Sequence, residues 1–168
     1  MDAKKLTQLA MLTGVALIIF VVELQIPNPF PIPGVKLGLA NIITVYAVYH
    51  YRAKEAAMIV FARVVLAAFF SGNMMALMYS MAGGIFCLAG MIPLKRIIDE
   101  KMIWVSSVFG AVLHNIGQIS VAVLLTKTWG VIAYFPFLLL SGCLAGAFTG
   151  ISAQLIIKRL KNKGGRLL

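Results

Sequence analysis

Few side chains in this 168-residue sequence are equipped for chemistry, and they fall in telling places. Arg63 stands inside an apolar run, and no other Asp, Glu, Lys, Arg or His lies between Glu55 and Lys95. An arginine at bilayer depth costs at least ~2.5–3.5 kcal/mol on insertion scales, so it must face a bundle interior or a watery cavity. Two roles fit it: an anchor for an anionic ligand, or one half of a structural ion pair with Glu23. Lys36 is a second isolated cation, at the exit of a stretch with Pro27, Pro29, Pro31 and Pro33. Those prolines lack N–H donors and fix φ, which excludes helix there and predicts an extended loop. Asn41, Asn73, Tyr79, His114 and Gln118 add hydrogen-bonding groups, and His114 and Gln118, four apart, share a helical face. Together they describe a pocket in which Lys36 and Arg63 offset negative charge, the five polar side chains hold the rest of a head group, and Met, Phe and Leu walls take an apolar body. Each polar residue also has a structural use. His114 and Asn115 suit bonds between helices, Asn73 a helix cap, and Tyr79 a packing position.

The elements that must position these groups follow from composition. Hydrophobic residues make up 61% and charged residues 12%, with a mean hydropathy of +0.97. Soluble domains average about 45–50% apolar and about 25% charged. The chain is therefore expected to be all-α, a polytopic membrane protein of one domain over residues 1–168 with six transmembrane helices. The hydrophobic segments are residues 6–24, 35–49, 53–70, 73–94, 104–126 and 131–160. A cleavable leader is not expected, because residues 1–24 contain no A-x-A-type site. The net charge of +10 does not indicate nucleic acid, since Lys and Arg gather at helix ends. With six spans, 12 of the 15 basic residues lie on one side, which predicts cytoplasmic N- and C-termini. Lys36, Arg63 and Lys127 are the exceptions, and Lys127 fits snorkelling to the outer interface.

Orientation then sets depth. Taking 1.5 Å per residue, Arg63 lies about 10 Å below the outer end of its segment, Asn41 about 7–8 Å and Tyr79 about 9 Å. Polar groups from five segments converge on the outer half of the membrane, and few occupy the inner half. This asymmetry argues for a pocket loaded from outside, with the proline-rich loop as its lid.

Small residues mark packing faces. Gly142, Gly146 and Gly150 form one ridge, and Ala10 and Gly14 form another. Either serves close helix approach, and Ala10 and Gly14 also suit docking onto another membrane protein. Cys87 and Cys143 read as packing residues. No GxxxxGK[ST] loop, HExxH or aspartate-rich metal motif is present. Catalysis by this chain is not expected, nor is any cofactor.

The runs PNPFPIPGVKLGLANIITV, AAMIVFARVVLAAFFSG, GAVLHNIGQISVA and FPFLLLSGCLAG resemble a small bacterial family labelled Gx transporter or heptaprenyl diphosphate synthase component I. Its layout is similar to the substrate-binding S-components of energy-coupling factor (ECF) transporters. The resemblance implies a bacterial plasma-membrane location and a six-helix bundle with an outward-loaded pocket. It implies docking of the first helix on a transmembrane T-component through the ridge that Ala10 and Gly14 match, with Gly where Ala is usual. It also implies two cytoplasmic ATPase partners. The synthase label implies instead a non-catalytic membrane accessory, because prenyl diphosphate synthesis needs the aspartate-rich motifs that this sequence lacks. The expected function is capture of a small anionic amphiphile from outside for import, with the accessory role as the alternative.

Overall fold

Backbone preference and apolar patterning resolve into six α-helices in the computed structural model, which describes residues 2–25, 38–72 and 74–164, with side chains through 162. The proline-rich loop, Lys36, Asn73 and Arg166 lie outside the described residues. The helices are α1 (Ala3–Gln25), α2 (Asn41–His50), α3 (Ala53–Ser71), α4 (Met74–Leu94), α5 (Ile103–Thr126) and α6 (Phe135–Gly164). Short 3-10 turns, Glu100–Met102 and Trp129–Tyr134, precede α5 and α6. No strand occurs among the described residues.

The second and sixth helices start later than the sequence expectation. The second helix starts at Asn41 rather than at residue 35. Gly38 adopts φ +70°, and the Asn41 amide donates to the Gly38 carbonyl at 2.9 Å, closing a turn. A left-handed residue ends a right-handed helical ladder, so α2 cannot extend back through it. The sixth helix begins at Phe135, after a 3-10 turn, rather than at residue 131. Pro136 in its first turn accounts for that start, since a proline fits where amides lack helical partners.

Among the described residues, four stretches are long and apolar enough to cross a membrane: Ala3–Gln25, Met74–Leu94, Glu100–Thr126 and Trp129–Asn162. Helix α3 has 19 residues, about 28 Å, but carries Lys54, Glu55 and Arg63. Helix α2, at 10 residues, reaches about 15 Å, half of a ~30 Å hydrocarbon core. It is the most enclosed element, burying Ile43, Thr44, Val45, Ala47, Val48 and Tyr49. It packs on α6, α3 and α1. Large apolar side chains such as Ile18, Phe61, Ile85, Phe109, Leu124 and Phe148 face outward. On a soluble protein such patches would aggregate; around a helical bundle they match lipid.

Helix α5 is the spine, packed along both α4 and α6. The glycine ridge of α6 makes the second contact close. A Cβ at Gly146 would stand 2.8 Å from Val108 Cα, and one at Gly150 would stand 2.5 Å from Trp104 Cα. On the other flank, a Cβ at Gly117 would meet the Ala82 carbonyl at 2.8 Å. The backbones approach so closely that only glycine fits. Ser107 and Thr149 share a buried hydroxyl hydrogen bond of 3.1 Å across the α5–α6 contact.

Polar contacts gather one end of the bundle. Lys5 pairs with Glu55, and Lys161 pairs with Glu100. Lys95 Nζ donates to the carbonyls of Val48 at 2.7 Å and Tyr51 at 3.0 Å. It thereby caps the C-terminal end of α2, where unpaired carbonyls and the helix dipole favour a cation. Burial holds the Lys95 ammonium below the ordinary lysine pKa, with Glu100 opposing the shift. The N-terminus, the α2–α3 and α4–α5 links and the end of α6 thus share one basic end, the grouping that the charge pattern predicts.

Candidate functional site

Away from that basic end, the buried Glu23, Arg63 and Asn115 meet around a cavity. Helix α3 places Arg63 inward, 9% exposed, and Nη2 donates to Asn41 Oδ1 at 3.2 Å. Asn41 is there because the Gly38 turn starts α2 at that residue. A Cβ on Gly38 would lie 3.1 Å from Asn41 Nδ2 at a φ that side chains rarely adopt, so the turn calls for glycine. The same Gly38 donates its amide to Glu23 Oε1 at 2.5 Å. Glu23, 8% exposed, comes from the far end of α1. One continuous chain of polar contacts therefore links α1, the Gly38 turn, α2 and α3.

Arg63 and Glu23 do not pair directly. The ion pairs among the described residues are Lys5–Glu55 and Lys161–Glu100. A direct Arg63–Glu23 salt bridge, one of the two roles open to Arg63, is not formed, although the Glu23 carboxylate is near enough to favour the Arg63 charge. Arg63 has five N–H donors, and its hydrogen bond among the described residues is the one to Asn41.

The opposite wall belongs to α4, α5 and α6. The His114 ring lies flat on α4, where a Cβ at Gly83 would stand 2.7–2.8 Å from three ring atoms. Asn115 Nδ2 donates to the Leu138 carbonyl at 2.5 Å, which fastens α5 to α6 and commits this amide to the fold. Gln118, Ser80 and Ser141 complete the polar lining, and Phe20, Val64, Ala67, Ala111 and Ala145 form apolar panels. The space among these side chains, counted with the open solvent at its mouth, is about 780 Å³, and all six helices or their immediate flanks contribute. A smaller space, about 300 Å³ counted in the same way, adjoins it and shares Gly38, Asn41, Ala111 and Ala145. It reaches Thr44, whose buried hydroxyl has no partner among the described residues.

Of the residues expected in the pocket, Asn41, Arg63, His114 and Gln118 line one cavity together. Tyr79 does not. It stands half-buried outside the lining, and Ser80 takes the inward position. Successive helical residues point about 100° apart, so a one-residue error in phase moves a side chain off the face. Lys36 and Asn73 lie outside the described residues. Ser80, Ser141 and the Glu23–Gly38 bond were not anticipated. Serines are common on helix faces and carry no signal of their own. Glu23 does carry one, as an acid at the end of an apolar run. Ala10 is exposed and Gly14 half-exposed on α1, and no atom lies within 4 Å of where a Gly14 Cβ would stand.

Such an arrangement can bind and orient a polar head. Among the described residues no three His, Cys, Asp or Glu side chains gather as a metal site.

No curated protein and no solved structure matches the chain significantly. A family model does, that of heptaprenyl diphosphate synthase component I, over residues 12–156. That match takes in α2 to α5 whole, most of α1 and α6, and every residue of the cavity lining. The chain belongs to the heptaprenyl diphosphate synthase component I family.

Proposed function

We propose that this chain is the substrate-capturing membrane subunit of an ECF-type importer. The observation that carries the reading is Arg63: a buried guanidinium with one hydrogen bond among the described residues, lining a cavity to which every helix contributes. A buried charge with unused donors is expensive unless a partner arrives, and an anionic group on a small molecule is that partner. In this reading the chain makes six passes through a bacterial plasma membrane, with the basic end and both termini in the cytoplasm. The ligand enters at the opposite end. Lys36, Asn73 and the proline-rich loop, expected at that end from the sequence, lie outside the described residues. Ala10 and Gly14, on a face that this chain leaves unpacked, dock a T-component. Two cytoplasmic ATPases attached to it supply the energy.

The family name favours a second reading, in which the chain is a membrane accessory to a prenyl diphosphate synthase. Affinity purification from membranes separates the two. The importer reading predicts that membrane-embedded and ATPase subunits co-purify, and that Gly14→Leu releases them. Recovery of a soluble prenyl synthase, insensitive to Gly14→Leu, contradicts it.

A further inference from the structure

The cavity holds both signs of charge. Arg63 and Glu23 are each more than nine-tenths buried, each lines the same space, and they are not in salt-bridge contact. Each also keeps hydrogen-bonding capacity. Arg63 uses one donor on Asn41 Oδ1, which fixes the guanidinium plane and leaves the other N–H groups without acceptors among the described residues. Glu23 accepts the Gly38 amide at Oε1, and its second oxygen has no donor among the described residues. A bare anion seated on Arg63 would share a low-dielectric space with a like-charged carboxylate, a repulsion that such surroundings amplify. A molecule carrying an amine beside its acid group meets both walls with opposite charge and hydrogen bonds.

We infer that the ligand head held in this cavity is zwitterionic, its acid group on Arg63 and its amine on Glu23. The remaining polar groups, Ser80, Gln118 and Ser141, serve uncharged parts of the head, and the apolar panels take its body. The inference rests on the cavity being a ligand site and narrows the class of ligand from any anion to one with paired charges.

The test starts from protein extracted from membranes, with its bound small molecule released and analysed by mass spectrometry in both ionisation modes. The expected molecule ionises in both, and acetylating its amine lowers rebinding to wild-type protein at least tenfold. Glu23→Gln, which keeps an oxygen for the Gly38 amide, is expected to fold and to lower occupancy at least tenfold. Inorganic pyrophosphate, a bare anion, is expected not to displace the bound molecule. A bound molecule with an acid group and no amine overturns the inference while leaving the cavity a binding site. So does full occupancy in Glu23→Gln, undiminished rebinding after acetylation, or displacement by pyrophosphate. Wild-type protein that carries no small molecule overturns the binding reading itself, and this inference with it.

Discussion

Arg63 was legible in the sequence because a charge in an apolar run is costly and must be accommodated. Its substitutions should rank by geometry rather than by charge alone. Arg63→Lys keeps the charge but loses the planar fork that Asn41 orients, whereas Arg63→Ala removes both. Ligand affinity should fall in the order wild type, Lys, Ala. A charge-assisted hydrogen bond contributes about 1.5–3 kcal/mol, so Arg63→Ala is expected to weaken binding roughly 10- to 150-fold in a titration. Equal affinity for the Lys and Ala variants would show that the guanidinium does not grip the ligand directly. Gly83 gives a second test. An added methyl would collide with the His114 ring, so Gly83→Ala should disturb the cavity, and Gly14→Ala, which meets open space, should not. Comparison of the two in the same binding assay checks this. Tyr79 shows what residue-level reading misses. Hydropathy reports which residues are inside the bilayer, but it does not give the rotational phase of a helix with no polar face. All six helices here are apolar nearly all round, so phase is set by neighbours.

At the scale of elements, helix number was readable, and the starts of α2 and α6 were not. Apolar runs bounded by basic clusters mark α1, α3, α4 and α5 to within a few residues. The start of α2 depends on one glycine dihedral, and a sequence containing Gly34, Gly38 and four prolines offers several places for that break. Gly38→Ala forces a side chain into the left-handed region beside Asn41, at a cost of about 1–2 kcal/mol. Thermal unfolding in detergent should show that loss, together with weaker ligand binding, because the turn positions Asn41 and donates to Glu23. Loss of stability without loss of binding would separate the turn from the site. The α6 ridge makes a contrasting prediction. Gly146→Leu must push α5 away at Val108, where overpacking costs about 1–3 kcal/mol or more, so the protein should unfold at lower temperature. An unchanged midpoint would mean that the ridge does not carry the α5–α6 contact.

For the whole molecule, charge distribution was the most informative feature. Basic residues predicted which links and termini lie together, and Lys5–Glu55, Lys161–Glu100 and the Lys95 cap on α2 bring those segments to one end. Convergence of Asn41, Arg63, His114 and Gln118 followed from depth alone, since antiparallel helices place residues of equal depth side by side. The neutral serines were not legible, because nothing in spacing or charge distinguishes them; Glu23 stood out as an acid at the end of an apolar run, but its bond to Gly38 depends on a turn that the sequence does not fix. Orientation across the membrane is testable with the single substitutions Lys5→Cys, Lys127→Cys and Lys161→Cys and an impermeant thiol reagent on whole cells. Only Lys127→Cys should gain labelling over wild type. Labelling of Lys5→Cys or Lys161→Cys would invert the topology and place the cavity mouth on the inner side.

A small molecule gripped by Arg63 between the six helices is what most needs testing. Native mass spectrometry of protein released directly from membranes tests it whatever the ligand's identity. A discrete small-molecule adduct is expected on the wild-type chain and is expected to be absent from folded Arg63→Ala. A wild-type chain without any adduct, or an adduct retained at equal occupancy by Arg63→Ala, would contradict it.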